Sequence, residues 1–173
     1  MDFKERTIEK KYVYEGKIIN VRNDKVALFG DRQSYREIVE HKGGSCVLCE
    51  NEGKILLVYQ YRYAYNEGIW EIPAGKIDKG ETPDRTAIRE LEEECGYRAQ
   101  SVELLYTVYP TPGYTNEKIY IYQAKELVKT QTNFDNDENI ISKWFDKGTL
   151  KEMIKSGEIK DGKTLIALLT ILR

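Results

Sequence analysis

Apolar and polar residues alternate in short runs through the first quarter of the chain. Residues 12–14, 17–22, 25–29 and 35–40 read as strands, separated by the turn residues Glu15-Gly16, Asn23-Asp24 and Gly30-Asp31. Asn23-Asp24 between two alternating runs predicts a hairpin. Residues 1–10 are polar and charged, an exposed end or a first short element. The pattern then changes. Gly43-Gly44 predicts a tight turn, and 45–49 and 54–61 are strongly apolar, joined by Asn51-Glu52-Gly53. The unbroken Ile55-Leu56-Leu57-Val58 predicts a strand covered on both faces. Residues 70–72 form a short strand feeding Pro73-Ala74-Gly75. Further strands are expected at 101–109, 117–124 and 140–145, with loops at 110–116 and 131–139. Helical spacing marks 84–95, 149–156 and 163–172. Strands interleaved with helices predict an α/β fold with a mixed sheet packed between helices. A small antiparallel β subdomain at 1–40 precedes the main domain at 41–173.

The helix at 84–95 has its own punctuation. Thr82 is placed to cap it, Pro83 suits its first position and Gly96 its stop. Asp84, Ala87, Ile88, Leu91 and Cys95 share one side as a core stripe. Glu90, Glu93 and Glu94 cluster on another. Glu92, Glu93 and Glu94 crowd the C-terminal end, where the helix dipole disfavours negative charge, and Glu90 and Glu94 are a like-charged pair one turn apart. A divalent cation would relieve this repulsion, and oxygen ligands suit Mg²⁺ or Mn²⁺. A solvated acidic face is the other reading of the same run.

Spacing distinguishes the two. From Gly75 the chain reads G, five residues, E, seven residues, R-E-L, one residue, E-E, one residue, G and a large apolar residue. Gly75, Glu81, Arg89, Glu90, Leu91, Glu93, Glu94, Gly96 and Tyr97 fill these slots. The stretch resembles the Nudix box, the signature of hydrolases that cleave a nucleoside diphosphate linked to another moiety. Tyr97 departs from the usual aliphatic residue at the last slot. The resemblance implies a Nudix-type α/β/α sandwich. It implies metal ligation by Glu90, Glu94 and the main-chain carbonyl of Ala74, with Glu93 close by, Arg89 orienting the acidic group and Glu81 in support.

Outside the box, PGYTNE at 112–117 resembles the corresponding loop of the ADP-ribose pyrophosphatase branch, and Pro112 matches its marker proline. YEGKIINVRNDKVAL, REIVEH and WEIPAGKID resemble the same branch, so the likeness spans nearly the whole chain. It implies Mg²⁺-dependent attack of water on ADP-ribose, giving AMP and ribose 5-phosphate. In this branch a loop glutamate distant from the box serves as base or further metal ligand. FDNDENI is the matching loop and Glu138 the matching residue, with Glu93, Asp135 and Asp137 as alternatives for the base. By the same resemblance Arg62 holds a phosphate and Glu71 contacts substrate. Arg36 and Glu37 reach the active site of a partner subunit in a two-fold homodimer. Other ADP-sugars or nucleotide sugars stand as alternative substrates, and a binding module without turnover as an alternative role.

A formal net charge of −2 argues against a general nucleic-acid binder. The N-terminal MDFKERTIEKKY has no apolar stretch and the longest apolar run, 165–169, is too short to span a membrane, so a cytoplasmic enzyme is expected. Cys46 and Cys49 form a lone C-x-x-C on a strand, which points them to opposite sides and predicts buried structural thiols. His41, with no partner motif, is read as structural.

Overall fold

The computed structural model describes residues 3–30, 32–134 and 139–172. The chain divides into two compact units.

The first takes Met1–Gly43 together with Tyr109–Lys118. Its centre is β3 (Ile19–Ala27), paired antiparallel along its length with β4 (Gln33–His41). The other edge of β3 carries β1 (Arg6–Glu9) and β2 (Tyr12–Glu15) one after the other. The expected hairpin turn at Asn23-Asp24 is therefore absent: both residues lie mid-strand, opposite Glu37 and Arg36. Asp24 is buried and pairs with Arg22 at 3.2 Å, so its carboxylate serves a neighbour two residues away instead of a turn. The hairpin closes further on, where Leu28 N donates to Arg32 O at 2.8 Å and Gly30 takes φ 74°. Segment 109–118 docks on β4 through Val39 N to Tyr114 O (2.7 Å) and Asn116 N to Val39 O (3.2 Å). Pro112 begins an exposed turn there. Pro-Gly suggests a type II turn, yet Gly113 is not in the left-handed region. Both Tyr114 N and Thr115 N donate to Thr111 O, so the chain makes a helix-like turn and keeps φ negative.

The second unit holds Gly44–Val108 and Ile119–Arg173. One mixed sheet runs β10 (Tyr97–Val108), β11 (Ile119–Lys129), β5 (Gly44–Leu48) and β9 (Ala74–Lys76), with β11 and β5 parallel and the other pairs antiparallel. In the other sheet, β7 (Lys54–Arg62) pairs with β12 (Ile140–Asp146), β6 (Glu50–Asn51) and β8 (Glu67–Glu71). Three helices complete it: α1 (Pro83–Cys95), α2 (Lys147–Lys155) and α3 (Gly162–Ile171).

Alternation along β5 and β7 makes the layers. Cys46, Leu48, Ile55 and Leu57 pack with Leu150, Met153, Ala167 and Leu168 from α2 and α3. Val47, Cys49, Leu56 and Val58 pack with Ala87, Leu91 and Cys95 from α1. The strands are covered on both faces, as the unbroken apolar run predicts, and the unit is a sandwich of helix, sheet and helix. Cys46 and Cys49 fall in opposite layers, buried and free, and burial pushes both thiols up to about 12. Among the described residues no helix is long and apolar enough to cross a membrane.

Candidate active site

Helix α1 follows its signals closely. Thr82 is the N-cap residue, although its side chain makes no capping hydrogen bond; Pro83 opens the helix, and Gly96 ends it at φ 66° with its N–H on Glu92 O. The buried face differs in detail: Asp84 is exposed, while Thr86, Glu90 and Glu94 join Ala87, Leu91 and Cys95 inside. A solvated acidic face is thus excluded for two of the three clustered glutamates, with Glu90 at 9% and Glu94 at 2% exposure. Tyr97 stacks edge-on against Trp144 at 5.5 Å, which explains an aromatic ring where the motif favours an aliphatic residue.

Arg89 organises the acidic group. Its Nε and Nη2 both reach Glu81 at 3.0 Å, and its Nη1 donates to Glu90 Oε1 and Glu93 Oε2, each at 2.8 Å. Nη2 also donates to Lys76 O at 3.3 Å, fastening the incoming loop to the helix. The planar guanidinium suits this many-sided hold. Glu81 is braced in turn by Thr86 Oγ1 at 2.7 Å. The hydrogen bond from Arg89 holds the Glu81 carboxyl below the usual range, and the surrounding carboxylates raise the Arg89 pKa.

Strand β9 brings backbone to these carboxylates. Its pairing with β5 sets Ala74 opposite Cys46 and Gly75 opposite Ser45. Glu94 Oε2 accepts the Ala74 N–H at 3.1 Å. The Glu90 carboxylate lies against Gly75, where any Cβ would overlap it. The structure therefore brings Ala74, Glu90, Glu93, Glu94 and Arg89 together. Their donors toward a cation are all oxygen, the chemistry a hard divalent ion takes. Among the described residues no three acidic, His or Cys side chains are already gathered as a closed cage, since Arg89 engages Glu90 and Glu93. Glu138, with Asp135 and Asp137, lies outside the described residues.

Three residues upstream of Ala74 is a second constellation. Arg62, at the end of β7, grips Glu71 with two hydrogen bonds of 2.5 and 2.7 Å. Glu71 is buried at 3% exposure and also accepts from Lys163 Nζ. Burial pushes its carboxyl up, and Arg62 and Lys163 more than reverse this, leaving it below the usual range. Arg62, Tyr65, Lys160 and Lys163 line a cleft of about 300 Å³ beside it. Lys163 and its neighbour Asp161 are not marked by any motif used above. The signal available was the Asp161-x-x-Thr164 cap pattern at the start of α3.

The remaining predicted residues, Arg36, Glu37 and Pro112, belong to the first unit. Arg36 is half-buried and bound to Glu5 at 2.9 and 2.5 Å. Glu37 lines a groove of about 430 Å³ with Arg22, Val39 and Tyr114. His41 lies 3.2 Å from Glu117.

The NUDIX domain family matches residues 39–167. The chain is 40% identical to the methanol dehydrogenase activator of Bacillus methanolicus, over 96% of this chain and 91% of that protein. It is 38% identical to the ADP-ribose pyrophosphatase of Bacillus subtilis (strain 168), over 95% and 90%. A crystal structure of an ADP compounds hydrolase superposes with a TM-score of 0.85 at 18% identity, covering 97% of this chain and 92% of that one, and so shares its fold. With its box filled at every acidic slot and three of those carboxylates, Glu81, Glu90 and Glu93, held by Arg89, the chain belongs to the NUDIX family and is a Nudix pyrophosphohydrolase.

Proposed function

We propose that this enzyme hydrolyses the diphosphate of ADP-ribose to AMP and ribose 5-phosphate, with Mg²⁺ as its ion and Mn²⁺ as a substitute. One observation carries the reading: Arg89 draws Glu81, Glu90 and Glu93 together beside the Ala74–Gly75 backbone to which Glu94 is bound. The substrate assignment is supported by the 38% identity to an ADP-ribose pyrophosphatase across 95% of this chain.

Family members use a divalent metal. Here Glu90, Glu94 and the Ala74 carbonyl would hold it, with Glu138 as a further ligand. Bound there, the metal would neutralise the diphosphate and acidify the attacking water. The chain's own groups do the rest. Arg89 keeps Glu90 and Glu93 from turning away, and Glu81 keeps Arg89 in plane. Glu71 takes Arg62 Nε and Nη2 and so fixes the guanidinium, whose remaining N–H groups meet a phosphate. Glu93 or Glu138 takes the proton from the attacking water. Pro112 shapes a loop that selects the nucleotide sugar. The groove beside Glu37 and the exposed Tyr12, Val13, Tyr14 and Tyr35 support a homodimer in which Arg36 and Glu37 serve the partner's site. We place the enzyme in the cytoplasm.

The test is product identity. ADP-ribose incubated with enzyme and Mg²⁺ in ¹⁸O-water should give AMP and ribose 5-phosphate in equal amounts, with the label on one of them. Release of free adenosine or intact ADP would refute a diphosphate cleavage. A second reading follows from the 40% identity to a methanol dehydrogenase activator, a role in activating another enzyme. It predicts that adding the chain raises methanol dehydrogenase turnover and that Glu94→Gln does not.

A further inference from the structure

The turn that begins α3 meets the site segment at two successive residues, each 92 positions away in sequence. Asp161 caps the helix, accepting from Thr164 N at 3.0 Å and from Thr164 Oγ1 at 2.6 Å. With its proton so committed, the fully buried Thr164 hydroxyl accepts the Ile72 N–H at 2.9 Å. Lys163 donates to Glu71 and lies 3.0 Å from Asp161. Its side chain is only 12% exposed. Glu71 passes this hold to Arg62 through the two-pronged contact. Two residues beyond Ile72, the Ala74 N–H goes to Glu94 on α1. The four residues 71–74 are thus fixed by α3 at one end and α1 at the other, with Pro73 restricting the backbone between.

Packing alone does not require these groups. A buried lysine must be stripped of water, and a buried ion-pair cluster replaced as a whole by well-packed apolar residues is often no less stable. A threonine hydroxyl that both donates and accepts fixes a direction, which an apolar contact does not. Supporting groups of this kind set the geometry of metal ligands.

We propose that Lys163 and Thr164 are positioning residues. They set residues 71–74 against α1 so that the Ala74 carbonyl stays in reach of an ion held by Glu90 and Glu94, and they aim Arg62 through Glu71. The inference rests on the metal-dependent reading above.

Mn²⁺ binding to the substrate-free protein, followed by electron paramagnetic resonance, tests it apart from turnover. Thr164→Val should weaken Mn²⁺ binding about tenfold at a temperature well below unfolding. Thr164→Ser, which keeps the hydroxyl, should restore it. Thr170→Val makes the same chemical change at the far end of α3 and should leave Mn²⁺ affinity unchanged. Lys163→Met should raise KM for ADP-ribose several-fold and weaken Mn²⁺ binding, and it carries the test if Thr164→Val does not fold. Variants that lower the melting temperature yet bind Mn²⁺ as the parent does would overturn the proposal, as would failure of serine to restore binding. A parent protein that binds no Mn²⁺ would instead overturn the metal reading, and this inference with it.

Discussion

Glu94 is where the proposed metal site and the backbone geometry meet. Its carboxylate is buried, accepts the Ala74 N–H, and lies one helical turn from the buried Glu90. Glutamine at this position keeps an acceptor for Ala74 and removes the charge. Glu94→Gln should therefore fold normally and lose metal-dependent hydrolysis by at least about 100-fold, more than a supporting residue would. Circular dichroism and a rate assay check the two halves, and full turnover in the variant would remove Glu94 from the metal site. Gly75 makes a complementary case. A Cβ there overlaps the buried Glu90 carboxylate, which would have to leave its place beside Arg89. Gly75→Ala should accordingly lower the melting temperature and also lower the rate about tenfold or more through a displaced Glu90. At this scale the identity of the acidic residues was legible in the sequence, because the box is local. Their burial was not, because it depends on β9 pairing with β5 across nearly thirty residues of chain.

The elements divide in the same way. The two ends of helix α1 could be read from Pro83 and Gly96, since caps act over one turn. Gly96 sits at φ 66°, so Gly96→Ala should cost about 1–2 kcal/mol without changing Mn²⁺ affinity, a shift visible in the urea midpoint. Strand β3 could not be read so well. Asn23-Asp24 signals a turn locally, and only the partners Arg22 on the strand and Glu37 and Arg36 across from it show why the strand continues. The link between β8 and α3 was beyond sequence pattern altogether, because Glu71 and Lys163 meet only when the two elements fold together. That link has a pH signature. Burial pushes the Glu71 carboxyl up, but Arg62 and Lys163 hold it below its ordinary 4.5. A carboxyl depressed in the folded state gives stability that is present above its unfolded pKa and lost as pH falls through the folded value. Urea midpoints of the parent should hold near neutrality and drop below about pH 4.5, and Glu71→Gln should flatten that drop. An equal drop in both proteins would assign acid sensitivity to other carboxylates.

For the whole molecule, the sandwich was legible because the apolar run at 45–49 and the unbroken apolar run in β7 indicate strands covered on both faces. The membership of the first unit was less so: segment 109–118 returns to β4 through backbone bonds that no side-chain pattern announces. Arg36 and Glu37 belong to that unit, and the homodimer reading gives them work only in a partner's site. Sedimentation should find a dimer, and a pair of inactive variants, Arg36→Ala and Glu94→Gln, should regain part of the activity when mixed. A monomer with full turnover would remove both residues from the site. The measurement that bears most directly on the account is AMP release by the purified protein across ADP-ribose, ADP-glucose, NADH and a nucleoside triphosphate, with Mg²⁺ and with chelator. ADP-ribose should give the highest kcat/KM, and chelator should abolish release. Release that ignores the chelator, or no release from any of these substrates with Mg²⁺ present, would contradict the proposed function.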